Sequence, residues 1–261
     1  MSVGYSINIK NLSFNPPRAN DKGVLRDLTF NVKGGDFITF IGQNGHGKSS
    51  IFRAIAGELQ YITGEVRVSN SVIDSTIHKH LAGVGIVHQY VQDDLIGELS
   101  ILKNIQLRQL FSDDKKTRED ANDKYWVGRV NRRLSEFLDG DFKPTNDTLV
   151  DELSGGQRQL LNVLIALDFE HSTIDGCRLL MLDEHLTSLD VIIQRKVMTL
   201  IQKITSNLGF KPTILMITHD FQYALEFSNK IIIINEGTVK ETLNKSNKKK
   251  WNLDYLIKAI E

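Results

Sequence analysis

Gly42-Gln-Asn-Gly-His-Gly-Lys-Ser49 fits the pattern G-x-x-x-x-G-K-[ST], between an apolar run, Asp36-Phe-Ile-Thr-Phe-Ile41, and a helical one, Ser49-Ser-Ile-Phe-Arg-Ala-Ile-Ala56. The glycines let the backbone curl so that successive N–H groups point inward, and a helix begins beneath them with its positive dipole end. Strand, loop and helix in that order form an anion cradle, which places this chain among α/β folds. The pattern assigns Lys48 to the β- and γ-phosphates of a nucleotide and the Ser49 hydroxyl to the Mg2+ that accompanies it. Gly42, Asn44, Gly45, His46, Gly47 and Ser50 complete the predicted loop.

The remaining chain supplies the layers. Tyr5–Ile9, Leu28–Val32 and Gly64–Val68 alternate like strands of a half-buried sheet. From about residue 90 to 167 the pattern is helical and charged, with Asp113–Asp120 polar on every side and Arg129–Leu138 amphipathic. Uninterrupted apolar runs return at Leu179–Leu182, Thr213–Ile217 and Lys230–Ile234, separated by helical patterns at Asp190–Leu208 and Phe221–Phe227. Such runs alternating with helices indicate a parallel sheet covered on both faces. A weak strand after Gly237, a basic run at Lys245–Lys250 and a short helix at Leu253–Ile260 close the chain.

Composition limits the partners. The 261 residues carry 32 basic and 32 acidic side chains, so no global field draws in nucleic acid, and none is expected as a partner. A single cysteine, Cys177, excludes an internal disulfide and agrees with a reducing compartment. No run of eighteen apolar residues occurs and the first ten residues lack signal-peptide character, so the sequence reads as a soluble chain able to dock on a membrane partner.

Two further motifs bear on chemistry. The run Leu179–Leu182 ends in Asp183-Glu184, at a strand's carboxyl end, where a doubly wound fold binds its ligand. Phosphoryl transfer needs one carboxylate for magnesium and one for the attacking water, roles that suit Asp183 and Glu184. Leu153-Ser-Gly-Gly-Gln157 precedes a helical pattern over Gln157–Leu167, and its hydroxyl and small residues make a second candidate anion site.

Together with Gln89 after Val84–His88, Ser188-Leu-Asp190, and His219 in Ile217–Asp220, these motifs resemble the nucleotide-binding subunits of ATP-binding-cassette (ABC) transporters from Ile7 to about Val239. The resemblance implies an ABC-type P-loop NTPase: a mainly parallel core sheet, an N-terminal antiparallel β subdomain and a helical insert. One domain would span residues 1–240, with its core at about 1–89 and 168–240, its insert at about 90–167, and a basic segment and short helix at 241–261. It implies ATP hydrolysis with Mg2+, held by Ser49, Gln89 and Asp183, and catalysis by Glu184, His219 and Gln89. Two subunits would pack head to tail, so that Ser154, Gly155, Gly156 and Gln157 of one cover the ATP on the other's loop, with Asp190 at the boundary. Phe14 is the aromatic candidate for stacking on adenine.

His185 after the acidic pair, and Arg158-Gln-Leu-Leu-Asn162 after the pentapeptide, resemble a bacterial importer branch. Its ATPase works at the cytoplasmic face of the inner membrane with a separate permease and an extracytoplasmic binding protein, and amino acids, aromatic ones included, are candidate cargo. Tyr90–Leu95 and Leu99–Leu102 are the candidates to line the permease groove, with Asp93 and Asp94 as its charges, while Ile101 and Leu102 read rather as packing the insert on the core. His78, His80, His88, His171 and His185 read as structural or exposed. A soluble ABC-type ATPase of metal-cluster assembly or translation shares the cassette and is the alternative.

Overall fold

The computed structural model describes residues 4–16, 23–73, 83–110, 128, 130, 132, 135, 144–168, 177–187, 189–207 and 211–260. The described parts of 82–180 and 185–210 form one compact unit, and those of 3–81, 181–184 and 211–261 a second. The polar stretch at 113–120 and most of 129–138 lie outside the described residues, as do Ser188, His78, His80 and His171.

In the second unit the chain forms β1 (Ile7–Phe14), β2 (Leu25–Val32), β3 (Phe37–Ile41), α1 (Lys48–Ile55), β4 (Ile62–Val68) and β5 (Ser71–Val72). The other unit holds β6 (Val84–Val87), α2 (Ile101–Leu110) and α3 (Gly155–Asp168). Strand β7 (Leu179–Asp183) divides between the units, and α4 (Val191–Asn207) belongs with β6. The chain then returns through β8 (Thr213–Ile217), α5 (Phe221–Phe227), β9 (Lys230–Asn235), β10 (Thr238–Asn244) and α6 (Leu253–Ile260). The unit containing the predicted insert thus also takes in β6 and α4.

The period of the sequence decides each sheet. In β2, Leu28, Phe30 and Val32 are buried and the residues between them exposed, as an antiparallel sheet with one covered face requires. The order is β2-β1-β4-β5. In β3, β8 and β9 the apolar runs are buried without interruption, and β3 pairs in parallel with both neighbours. The order here is β10-β9-β3-β8, continuing to the carboxyl half of β7. Aromatic edges tie the layers together: Phe30 of β2 meets Phe40 of β3 at 5.4 Å between ring centroids, and Phe40 meets Phe52 of α1 at 5.9 Å.

The terminal helix is part of this core. Leu256 is fully buried with Ile41, Ala224, Ile231, Ile233 and Leu243, while Tyr255 and Ile260 pack at the edge. Trp251 Nε1 donates to the Leu225 carbonyl at 3.0 Å, and Lys250 and Tyr255 both bond Glu241. The basic run therefore anchors the tail: Lys245 also reaches the Glu226 carbonyl, at 3.0 Å. Leu256→Ala is expected to destabilise the chain by about 2–5 kcal/mol, the range for deleting a buried leucine side chain. A lower denaturant midpoint with unchanged slope would show it.

Candidate nucleotide site

The predicted loop connects β3 to α1 with an unusual backbone. A Cβ at Gly42 would stand 2.2 Å from the Ile234 carbonyl oxygen, and one at Gly47 (φ 91°) 2.9 Å from that of Val24. No larger residue fits either point. At Gly45 (φ 79°) nothing lies within 4 Å of a Cβ position, so this part of the loop faces open space. Behind the loop, Gly237 N donates to the His46 carbonyl at 3.2 Å and Arg26 N to the Gly237 carbonyl at 2.9 Å. Arg26 also bonds the Glu236 carbonyl through its guanidinium. In the sequence Glu236-Gly237 signals only a turn, and nothing there reveals that the turn braces the loop.

Lys48 opens α1 and is 5% exposed. Its Nζ donates to the Gly42 and Gln43 carbonyls, both at 2.9 Å. Burial pushes its pKa below the ordinary lysine value, while the charges of Glu184 and Asp183 push it back up. A partly desolvated ammonium at the start of α1 fits a phosphate, which would restore the lost solvation.

Asp183 ends β7, and Glu184 follows with a left-handed backbone (φ 44°) held by its N–H donating to the Ile217 carbonyl at 3.1 Å. Such a φ on a side-chain-bearing residue stores strain of about 1–3 kcal/mol. It aims the carboxylate at His219, whose Nε2 lies 3.0 Å from Glu184 Oε1. His219 sits between β8 and α5, whose N-terminus Asp220 caps by accepting from Gln222 N and Tyr223 N at 2.8 and 3.0 Å. Phe14 is half-buried at the end of β1, paired in register with Leu25 and Ile62. The second unit thus gathers the loop, Asp183, Glu184, His219 and Phe14.

The other unit gathers Gln89, Ser154–Gln157 and Asp190. Helix α3 begins at Gly155, two residues earlier than expected, so both glycines lie in its first turn. Ser154 and Gln157 form a reciprocal capping box: Ser154 N donates to Gln157 Oε1 at 2.8 Å, and Gln157 N to Ser154 Oγ at 3.3 Å. Gly155 faces open space, whereas a Cβ at Gly156 would stand 2.8 Å from the Ile193 side chain. Asp190 caps α4 through Ile192 N and Ile193 N, both at 3.0 Å, and leaves Val191 and Ile192 largely exposed.

Residues 25–187 match the family model described as "ABC transporter". A tyrosine transport ATP-binding protein of Clostridioides difficile is 30% identical over 267 residues, covering 98% of both chains. The chain belongs to the ABC transporter ATP-binding family. It is an ATPase. A spermidine/putrescine import ATP-binding protein, PotA of Mycoplasma mycoides, is 29% identical over 84% of this chain, which spans only 56% of that relative's length. Among solved folds, a nucleotide-free ATP-binding cassette from an ABC transporter superposes with a TM-score of 0.70 at 18% identity, covering 98% of this chain and 94% of its own. The dimeric cassette MJ0796, bound to ADP and Pi, superposes with a TM-score of 0.67 at 22% identity, covering 92% and 98%.

In this ABC ATPase His185, next to the acidic pair, is 2% exposed, and burial lowers its pKa to about 3 from the ordinary 6.5. An unfolded imidazole takes a proton below about 6.5 and the folded one only below about 3. The stability this difference contributes is therefore complete above pH 6.5 and is lost as pH falls through the window. Denaturant unfolding between pH 7 and 4 should show His185→Phe with a shallower acid slope than the parent, the histidine contributing at most about 1.4 kcal/mol per pH unit. Parallel slopes would mean His185 is not buried in the neutral form.

Proposed function

We propose that this ABC ATPase drives an amino-acid importer, and the observation that carries the reading is the presence of two complementary half-sites on one chain. The loop with Lys48 offers a charged cradle, and the first turn of α3 offers N–H groups beside an open Gly155. A two-fold pair of chains would close each cradle with the other's α3, giving two ATP sandwiches. In each, the loop N–H groups and Lys48 hold the phosphates. Ser49, Asp183 and Gln89 would bind Mg2+ together with nucleotide oxygens and water. Bound Mg2+ supplies neutralisation of the charge developing on the transferred phosphoryl group. Glu184 takes a proton as water attacks the γ-phosphorus and the bond to the β–γ bridging oxygen breaks. His219, hydrogen-bonded to Glu184, bridges the water and the γ-phosphate, and Phe14 stacks on adenine.

ATP favours the closed pair and hydrolysis releases it, moving a permease between two access states. The permease's short helix would enter a groove of about 340 Å³ lined by Gln89, Tyr90, Leu95, Val150 and Arg158, where Tyr90 is 57% exposed. Of the two charges expected there, Asp93 is exposed but the Asp94 side chain is fully buried, so Asp94 cannot meet a partner directly. The tyrosine transport relative supports an amino-acid cargo. An extracytoplasmic binding protein would deliver that cargo to the permease, with this chain at the cytoplasmic face of the inner membrane.

Glu184→Gln should keep ATP binding, accumulate the closed dimer in size-exclusion chromatography with ATP, and lower turnover by about 100-fold or more. Normal turnover would remove Glu184 from this role. Mass spectrometry of mild-detergent extracts from native cells bearing the tagged chain should recover a multi-spanning permease and a binding protein. Recovery of ribosomes or cluster-assembly proteins alone would overturn the importer.

A further inference from the structure

Gln89 lies in a short loop closed by a buried carboxylate. Asp94 Oδ2 accepts from His88 N at 2.8 Å, and His88 Nδ1 lies 2.6 Å from Asp94 Oδ1, so one side chain ties the loop's end to the residue just before Gln89. Inside the loop, Asp93 N and Asp94 N donate to the Tyr90 and Val91 carbonyls, both at 3.0 Å. The same Asp94 Oδ2 accepts from Asn162 Nδ2 of α3 at 2.7 Å. Asn162 is fully buried two turns along the helix that opens with the Ser154–Gln157 capping box. Strand β6, which delivers His88, lies flush on the same helix, since a Cβ at Gly85 would stand 2.2 Å from the Ala166 carbonyl oxygen.

We infer that Asp94 and Asn162 are positioning residues for Gln89, clasping its loop to α3 so that loop and helix move as one piece. A buried carboxylate with three donors resists withdrawal of any one of them, because each loss leaves charge less solvated. The third of these, the Asn162 amide on α3, therefore fixes where the loop can rest as well as its shape. The inference rests on the catalytic role proposed for Gln89.

The test uses the full-length chain. Its steady-state ATPase is compared with that of Asn162→Ala and Asn162→Leu, the leucine variant filling the space without a donor. Both should lower kcat about 10- to 100-fold, the usual cost of losing a supporting hydrogen bond, and leave KM for ATP unchanged. Gln89→Ala should also lower kcat, and adding Asn162→Ala to it should cost nothing more. Hydrogen exchange at residues 89–95 should rise in both Asn162 variants while α1 keeps its protection. Parent-like kcat in the Asn162 variants, or losses that multiply with Gln89→Ala, would overturn the clasp. Parent-like kcat in Gln89→Ala would instead overturn the role of Gln89 and the inference with it.

Discussion

Burying the Lys48 ammonium among backbone carbonyls costs free energy, and much of the second unit is arranged to limit that cost. Two neutral acceptors, the Gly42 and Gln43 carbonyls, cannot replace a full shell of water around a charge. The carboxylates of Asp183 and Glu184 make up part of the deficit, which requires the carboxyl ends of β3 and β7 to converge. Strand β8 lies between them and pairs with β3 in parallel. The remaining deficit is what a triphosphate can fill, so the cost of burial becomes binding energy for an anion.

A charge held this way needs a loop that cannot relax around it. The Gly237 bond to the His46 carbonyl fixes the loop from behind, and Gln43 Nε2 donates to the Ile260 carbonyl at the end of α6, at 3.0 Å. The same α6 buries Leu256 against Ile41, the residue immediately before Gly42. The tail that the sequence presents as a basic run and a short helix thus supports the phosphate loop through both a hydrogen bond and apolar packing.

Much of this was legible in residue patterns. Thr213–Ile217, Phe221–Phe227 and Leu253–Ile260 form elements with the expected bounds, because apolar period and helix capping act over a few residues. What the sequence hid depends on separation. The Asp94–Asn162 bond spans 68 positions, and an acid in a polar loop carries no local sign of being fully buried. Ser154 shows the opposite case: S-x-x-Q is a local capping signal, yet the hydroxyl reads from sequence as a phosphate donor. In the structure its oxygen accepts from Gln157 N and caps the start of the helix, a bond that leaves the O–H able to donate.

The capping box and the clasp divide the work along α3. The box satisfies backbone groups at the helix start with neutral side chains, leaving the positive end of the dipole uncompensated by any acid in the first turn. Asp94, a full charge, meets the helix deeper, at Asn162, where its field acts on a side-chain amide and not on the terminal N–H groups. Had the acid capped the helix itself, it would have repelled the phosphate that the open Gly155 is free to meet. Placing the charge two turns in lets this helix carry both a mechanical tie to the Gln89 loop and an end that remains attractive to an anion.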